Sequence, residues 1–409
     1  MRAGQDDLAR RAEVLVGRED RMAKVLVLGA GLMGPAIASD LLKYGIAERV
    51  MVADIDPERV GEVVRCLGPE RCQGMVLDVW DRQALVDAMR QVEVVAGAYP
   101  AAAVAQVTEA AIEAGVSLAD LTGSAEGFDI FAYHQRAVTA GVTLLPGCGV
   151  APGLTNVLVG QGAARFDRVS EGVIYVGGLP LHPRPPLGYR VVFSMDALID
   201  EYVVPALVIK EGRVVEVPAL DGLEEVAFPD PVGVCEAFYT DGLGTMVRTG
   251  MQMGFRELAE KTVRYPGHRD KVAFLRDCGF FSREPVRVDG VEVVPRRFTG
   301  ALLGSLLEQG DEADVTVLRV VVRGESQGKR GTWTFDMVDF YDHDNRVTSM
   351  ARTTGYTCSI LVGMLLRGRI AGPGVVPLEQ VFADAAMYEE LREELGKRGM
   401  RITEQFEEG

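Results

Sequence analysis

Between positions 24 and 148 the chain repeats one unit, a short apolar run followed by a stretch with apolar residues at helical spacing. The runs are VLVLG (25–29), VMVAD (50–54), GMVLD (74–78), VEVVAGA (92–98), VSLADL (116–121) and VTLLP (142–146). Helical spacing fills 32–44, 57–67, 101–114 and 126–140, with a further helix after Asp81. Pro57 suits a first helical position, where its missing N–H costs nothing, and Asp81 is placed to cap. Strands that are apolar throughout have no wet face, so they belong to a parallel sheet covered by helices on both sides. The pattern predicts an α/β fold with a Rossmann-type doubly wound parallel sheet.

Beyond Pro152 that rhythm stops. Apolar runs at 172–180 (GVIYVGGLP) and 213–220 (RVVEVPAL) are separated by turns and by the proline-rich HPRPPLG (182–188). Runs at 315–324 and 332–342, followed by 345–352, read as a three-segment antiparallel meander with one packed face. A second, α+β domain with a mixed or antiparallel sheet is therefore expected. The stretch 353–367 (TTGYTCSILVGMLLR) is apolar almost all round and is expected to be a buried C-terminal helix returning to the first domain. Charged helical sequence then closes the chain. The expected division is an N-terminal extension at 1–21, a nucleotide-binding domain at 22–152, a substrate and dimerisation domain at 153–350, and C-terminal helices at 351–409. A length of 409 residues is too great for one core and agrees with that division. Residues 1–21 carry acids and lack an apolar core of signal-peptide length, which argues against a secretion signal.

Charge narrows the partners. With 43 basic and 59 acidic residues the net charge is −16, and no concentrated basic patch offsets it, so nucleic acid is a poor partner. Every long apolar run is broken by a charge or glycine before the roughly 18 residues a membrane helix needs. Six scattered cysteines form no CxxC pair and the four histidines lie far apart, so neither a metal site nor a disulfide framework is expected. A cytoplasmic protein acting on a small molecule fits best.

The strongest local motif is Gly29-Ala30-Gly31-Leu32-Met33-Gly34. Alone it is weak, but it follows an apolar strand, opens a helix and precedes Asp54 by 20 residues at the end of the next strand. Gly29 permits the tight turn, Gly31 admits a pyrophosphate to the helix N-terminus, and Gly34 allows close strand–helix packing. Leu32 and Met33 complete the loop that borders the cofactor. Asp54 is placed to bind the adenosine ribose hydroxyls, and its charge disfavours a 2′-phosphate, so the expected cofactor is NAD. Asp78, ending the third strand, stands between a role near the adenine and one at a helix N-terminus.

Taken together, KVLVLGAGLMG (24–34), LLPGCGVAPGLTN (144–156), YVGGLP (175–180), PRPPLGYRVVFS (183–194), EAFYTDG (236–242) and TVRYPGH (262–268) resemble the saccharopine dehydrogenase family, most nearly its lysine 6-dehydrogenase branch. The resemblance covers nearly everything after Met22. It implies a nicotinamide-linked oxidoreductase that makes or breaks C–N bonds at the side-chain end of an amino acid. In the lysine branch, the side-chain amine of L-lysine is oxidised to 2-aminoadipate 6-semialdehyde, which cyclises, with release of ammonia. It also implies a homodimer or dimer of dimers whose second domain carries the substrate cleft and the subunit contact. One departure counts against saccharopine as substrate. Relatives that form it commonly carry a proline and a basic or polar residue after the fourth strand, where this chain reads Gly97-Ala98-Tyr99-Pro100-Ala101-Ala102.

Oxidising an amine requires its neutral form. With a pKa of about 10.4, only about one lysine side chain in 2,500 is neutral at pH 7, so the site must favour deprotonation. Asp120, ending the fifth strand beside the switch-point crevice, is the candidate to hold and orient the amine; capping the loop after it is the alternative. Tyr99, just past the fourth strand, points into the same crevice, with packing beneath the nicotinamide as its other reading. The substrate carboxylate calls for cations, for which the RYPGH segment offers Arg264 and His268, with Tyr265 between them. A plain surface turn is the alternative reading. Arg184, on the stiff proline loop, is a second candidate. Cys148, between two glycines and without a recognisable His or Asn partner, reads as a small packing residue rather than a nucleophile.

Overall fold

The computed structural model describes residues 24–122, 125, 127–191, 194–307, 312–370 and 372–409. The proposed extension at 1–21 lies outside them.

The first half builds strands β1 (Lys24–Leu28), β2 (Arg49–Asp54), β3 (Cys72–Val76), β4 (Val94–Gly97), β5 (Ser117–Asp120) and β6 (Thr143–Leu145). They alternate with helices α1 (Gly34–Lys43), α2 (Pro57–Leu67), α3 (Arg82–Met89), α4 (Val104–Ala114) and α5 (His134–Ala140). Pro57 opens α2, and the carboxylate of Asp56 accepts the N–H groups of Glu58 and Arg59. Asp81 caps α3 by accepting from Ala84. The helix expected from residue 126 forms only at His134, after a single 3-10 turn at Ile130–Tyr133. All strand pairs are parallel, and the order runs β6-β5-β4-β1-β2-β3. The order reverses between β4 and β1, which opens a crevice at their carboxyl ends.

The second region begins with α6 (Leu154–Ala164) and the long strand β7 (Arg168–Pro180). Next come α7 (Met195–Val203), β8 (Ala206–Lys210), β9 (Arg213–Val217), β10 (Glu224–Phe228), β11 (Gly233–Tyr239), α8 (Met246–Met253), β12 (Glu257–Arg264) and α9 (His268–Asp277). A separate hairpin of β13 (Val286–Val288) and β14 (Val291–Val293) precedes α10 (Pro295–Leu306), β15 (Asp314–Ser326) and β16 (Lys329–Phe340). The sheet is mixed: β12 runs parallel to β7, while β15 pairs antiparallel with both β7 and β16. The expected third segment of the meander, 345–352, does not pair as a strand; it turns into a helix.

That helix, α11 (Ser349–Leu366), is buried on nearly every face and packs on α1, with Gly355 against Ala36 and Ile37. Its first two N–H groups, of Ser349 and Met350, donate to the buried carboxylate of Asp314. The chain then returns to the first sheet as its seventh strand, β17 (Gly374–Val375), parallel to β6. Helices α12 (Leu378–Val381) and α13 (Ala385–Lys397) follow. The chain does not close as helix. Its end is a strand, β18 (Thr403–Glu408), that pairs with β16 at the edge of the second sheet. Between them, Arg398 bonds both carboxylate oxygens of Asp40 in α1, at 2.9 Å each, with both side chains fully buried. Ser359 of α11 donates to the same carboxylate. One hydrophobic core continues from α1 and one face of the first sheet through α11 and α6 to the second sheet. No helix among the described residues is long and apolar enough to cross a membrane.

Candidate functional site

The glycine loop follows β1 directly. Gly29 has φ of +107°, and a β-carbon there would overlap the carbonyl oxygen of Ala98 beyond β4. A β-carbon on Gly34 would strike the carbonyl of Gly29, so this glycine lets α1 pack onto its own strand. Gly31 has open space where its side chain would be. Helix α1 has no side-chain cap and no acid in its first turn, which leaves N–H groups available at its N-terminus beside that opening. An anionic pyrophosphate fits this arrangement. Leu32 is exposed and Met33 half-buried on the rim.

Asp54 ends β2 and binds the loop itself: its carboxylate accepts the N–H of Ala30 at 2.7 Å and of Asp56 at 2.9 Å. The half-buried carboxylate thus stands at the glycine loop, where an adenosine ribose would lie. Asp78 is exposed and accepts the N–H of Trp80, holding the turn after β3, while Asp81 caps α3. The helix-terminus alternative weighed for Asp78 therefore falls to Asp81.

Across the switch point, Tyr99 and Asp120 meet. The Tyr99 hydroxyl donates to the Asp120 carboxylate at 2.7 Å, and the Thr122 N–H donates to its other oxygen at 2.9 Å. Both side chains are buried. Burial pushes the Asp120 carboxyl up to about 7, although the bonds from Thr122 and Tyr99 favour its charged form. Burial, then the adjacent Asp120 charge, raises Tyr99 well above the phenol range, so it stays protonated and donates. The loop alternative for Asp120 and the packing alternative for Tyr99 each hold in part, since Asp120 accepts from its following loop and Tyr99 is a core residue. Cys148 is buried nearby, with its N–H on the Asp120 carbonyl and its Sγ 3.2 Å from the Leu145 carbonyl. Burial raises its pKa well above the thiol range, so it is no ready nucleophile.

The RYPGH segment is no surface turn. Arg264 ends β12 and His268 starts α9, and both are buried. Arg264 donates to Glu201 at 2.7 Å and to the Val263 carbonyl, with its guanidinium 4.4 Å from the Tyr189 ring centroid. His268 is held between the Leu187 carbonyl at 3.0 Å and the Tyr202 hydroxyl at 2.9 Å. Burial first, then the Arg264 charge, pushes its pKa down to about 3, so the ring is neutral. Tyr265 is half-buried and donates to the Pro180 carbonyl. Arg184 lies exposed on its loop, paired with Glu312 at 2.9 Å. The structure thus gathers Gly29, Gly31, Gly34 and Asp54 in one place, Tyr99 with Asp120 in a second, and Arg264 with His268 in a third. Arg184 is on the loop whose Leu187 carbonyl holds His268, but its side chain is turned to Glu312.

Two acids that no motif marks join the third group. Glu201 faces Arg264 from α7, and Glu260 shares the β12 face of Arg264. The sequence ELAEKTVR hides Glu260 because polar residues occupy both parities of the strand.

This is a dinucleotide-binding α/β protein with a second, mixed-sheet domain that shares a hydrophobic core with the first. Residues 25–145 match the saccharopine dehydrogenase NADP binding domain, and residues 149–400 the saccharopine dehydrogenase C-terminal domain. The chain belongs to the saccharopine dehydrogenase family. It is 23% identical to a saccharopine dehydrogenase [NADP(+), L-glutamate-forming] of Schizosaccharomyces pombe, over 94% of this chain and 99% of that one. It is 27% identical to an alpha-aminoadipic semialdehyde synthase of Arabidopsis thaliana, but spans only 25% of that protein's length. The apo saccharopine dehydrogenase (L-Glu forming) of Saccharomyces cerevisiae shares the fold, with a TM-score of 0.75 at 20% identity, covering 94% of this chain and all of that one.

Proposed function

We propose that the protein is an NAD-linked oxidoreductase that oxidises the side-chain amine of L-lysine to 2-aminoadipate 6-semialdehyde, with release of ammonia and ring closure to piperideine-6-carboxylate. The observation that carries this is the Tyr99–Asp120 pair at the carboxyl edge of β4 and β5. A carboxylate titrating near 7 can take the proton of a substrate ammonium, and the neutral amine lone pair then assists loss of hydride as an iminium forms. A nicotinamide cofactor held at the loop of Gly29, Gly31 and Gly34 and at Asp54 would supply the hydride acceptor. Tyr99 holds the Asp120 oxygen in place while the proton moves, and hydrolysis of the iminium frees ammonia. Asp54 supports NAD over NADP, because a 2′-phosphate beside its carboxylate would bring like charges together.

Absorbance of NADH, followed with L-lysine, L-ornithine and saccharopine under NAD and NADP, tests the reading. Lysine with NAD is expected to be fastest, and the reverse reaction should require ammonium. If the reverse reaction instead needs glutamate or a diamine, the protein is a secondary-amine dehydrogenase like its named relatives. Asp54→Ser should shift cofactor preference about tenfold toward NADP, in line with removal of one charge repulsion of about 1.4 kcal/mol. Strong NADP preference in the unaltered protein would overturn the role given to Asp54.

A further inference from the structure

Successive side chains of a strand alternate, so Leu258, Glu260, Thr262 and Arg264 share one face of β12. Leu258 belongs to the core continuous with the first domain, and Arg264 stacks on Tyr189, a member of the separate core with Leu187, Tyr202 and Phe238. Glu260 sits between them, only 5% exposed, and its Oε2 has no hydrogen-bond partner. A β-carbon on Gly242 would overlap its carboxylate, so the acid lies directly against the loop 240–245.

A buried carboxylate without a partner costs several kcal/mol unless something supplies a charge or a proton. Among the described residues, the cations of β12 are engaged elsewhere. Arg264, the cation on the same strand face, is engaged by Glu201, and Lys261 points to the other face, where it bonds Glu224 and the Gly222 carbonyl. Glu236, across from Arg264 in β11, accepts from the Gly267 and Arg269 N–H groups. The charges felt at Glu260 are instead negative, from Asp241 and Glu201. With burial as the larger cause, they push its pKa up to about 8.

Contacts also link this place to the proposed site. Thr245, ending the loop against Glu260, is hydrogen-bonded to Asn156 in the first turn of α6. Asn156 accepts the Gly153 N–H, in the loop that begins at Cys148 on the Asp120 carbonyl.

We propose that Glu260, flanked by Glu201 and Asp241, receives the ammonium group of the substrate that does not react, so that the protein selects amines carrying a second cationic nitrogen. The inference rests on the function proposed above and assigns the α-ammonium of the substrate to Glu260. An arriving ammonium favours the carboxylate, so below about pH 8 binding expels the proton of Glu260 to solvent.

Calorimetric titration of the full chain with NADH present, in two buffers of different ionisation enthalpy, reads both affinity and proton release. L-lysine is compared with 6-aminohexanoate, which keeps the side-chain amine and the carboxylate but lacks the α-ammonium. Lysine should bind about tenfold to a hundredfold more tightly, the range for a charge-assisted hydrogen bond. At pH 7 it should release most of one proton more than 6-aminohexanoate, whose only ammonium is the one placed at Asp120. Glu260→Gln, which mimics the protonated acid, should weaken lysine to the level of 6-aminohexanoate and abolish the extra release. Equal affinities in the unaltered protein, or a Glu260→Gln protein that keeps the preference, would overturn the site. Should Glu260→Gln fail to fold, the proton count on the unaltered protein still decides. Lysine binding that expels this extra proton without reduction of NAD would remove the proposed reaction and keep the cation site. NAD reduction by lysine unaffected by Glu260→Gln would do the reverse.

Discussion

Two buried polar groups of this molecule, one in each domain, are built on opposite principles. At the crevice of the first sheet, Asp120 meets neutral donors only, a phenol and a backbone amide, and burial leaves it poised near neutrality. In the second domain, Arg264 already has its counter-charge in Glu201, and His268 is locked neutral between a carbonyl and a hydroxyl. A group without a counter-ion can exchange protons with a ligand, whereas a paired ion inside the protein mainly holds its neighbours. Arg264 and His268, which the sequence offers to the substrate carboxylate, thus each have buried partners within the second domain.

The largest effect that would sharpen this contrast is on chemistry. Asp120→Asn removes the base while keeping the shape, and kcat with L-lysine should fall by about 10²- to 10⁴-fold with the melting temperature little changed. A loss below tenfold would break the assignment. Next is a stability effect: Arg264→Ala should cost about 3–5 kcal/mol in denaturant titration, because it strands Glu201 and empties a fully buried site. A stable Arg264→Ala protein with only a raised KM would restore the substrate-clamp reading. The smallest effect is a shift of pH profile. Since burial raises Asp120 of the free protein to about 7 and the base acts in its charged form, kcat/KM should rise with pH through that region. The Tyr99 bond lowers the Asp120 pKa, so Tyr99→Phe should move the rise upward, by one to two pH units at most if the bond is worth about 1.5–3 kcal/mol. A profile that Tyr99→Phe leaves unmoved would detach the tyrosine from the base.

Local chemistry wrote the first sheet into the sequence. Six apolar runs, the Pro57 and Asp81 helix starts, and a glycine loop set 20 residues before Asp54 each depend on neighbours a few residues away, and all appear in the fold. The meeting of Tyr99 and Asp120 was half-legible: both end consecutive strands, and parallel order puts those ends side by side. Long-range pairing decided the rest. The seventh strand has two residues, too few for any periodicity, and exists because β6 offers an edge. The charged tail becomes β18 because β16 has a free edge, although its sequence, TEQFEE, carries no apolar alternation. Arg264 looks like any loop arginine until β12 ends beside α7 and brings Glu201 to it. Glu260 looks like a solvated acid until Gly242 and the two cores close around it. Periodicity reports which face of an element is dry; only the tertiary structure determines which charge meets another in the dry space, because burial and pairing are set by residues distant along the chain.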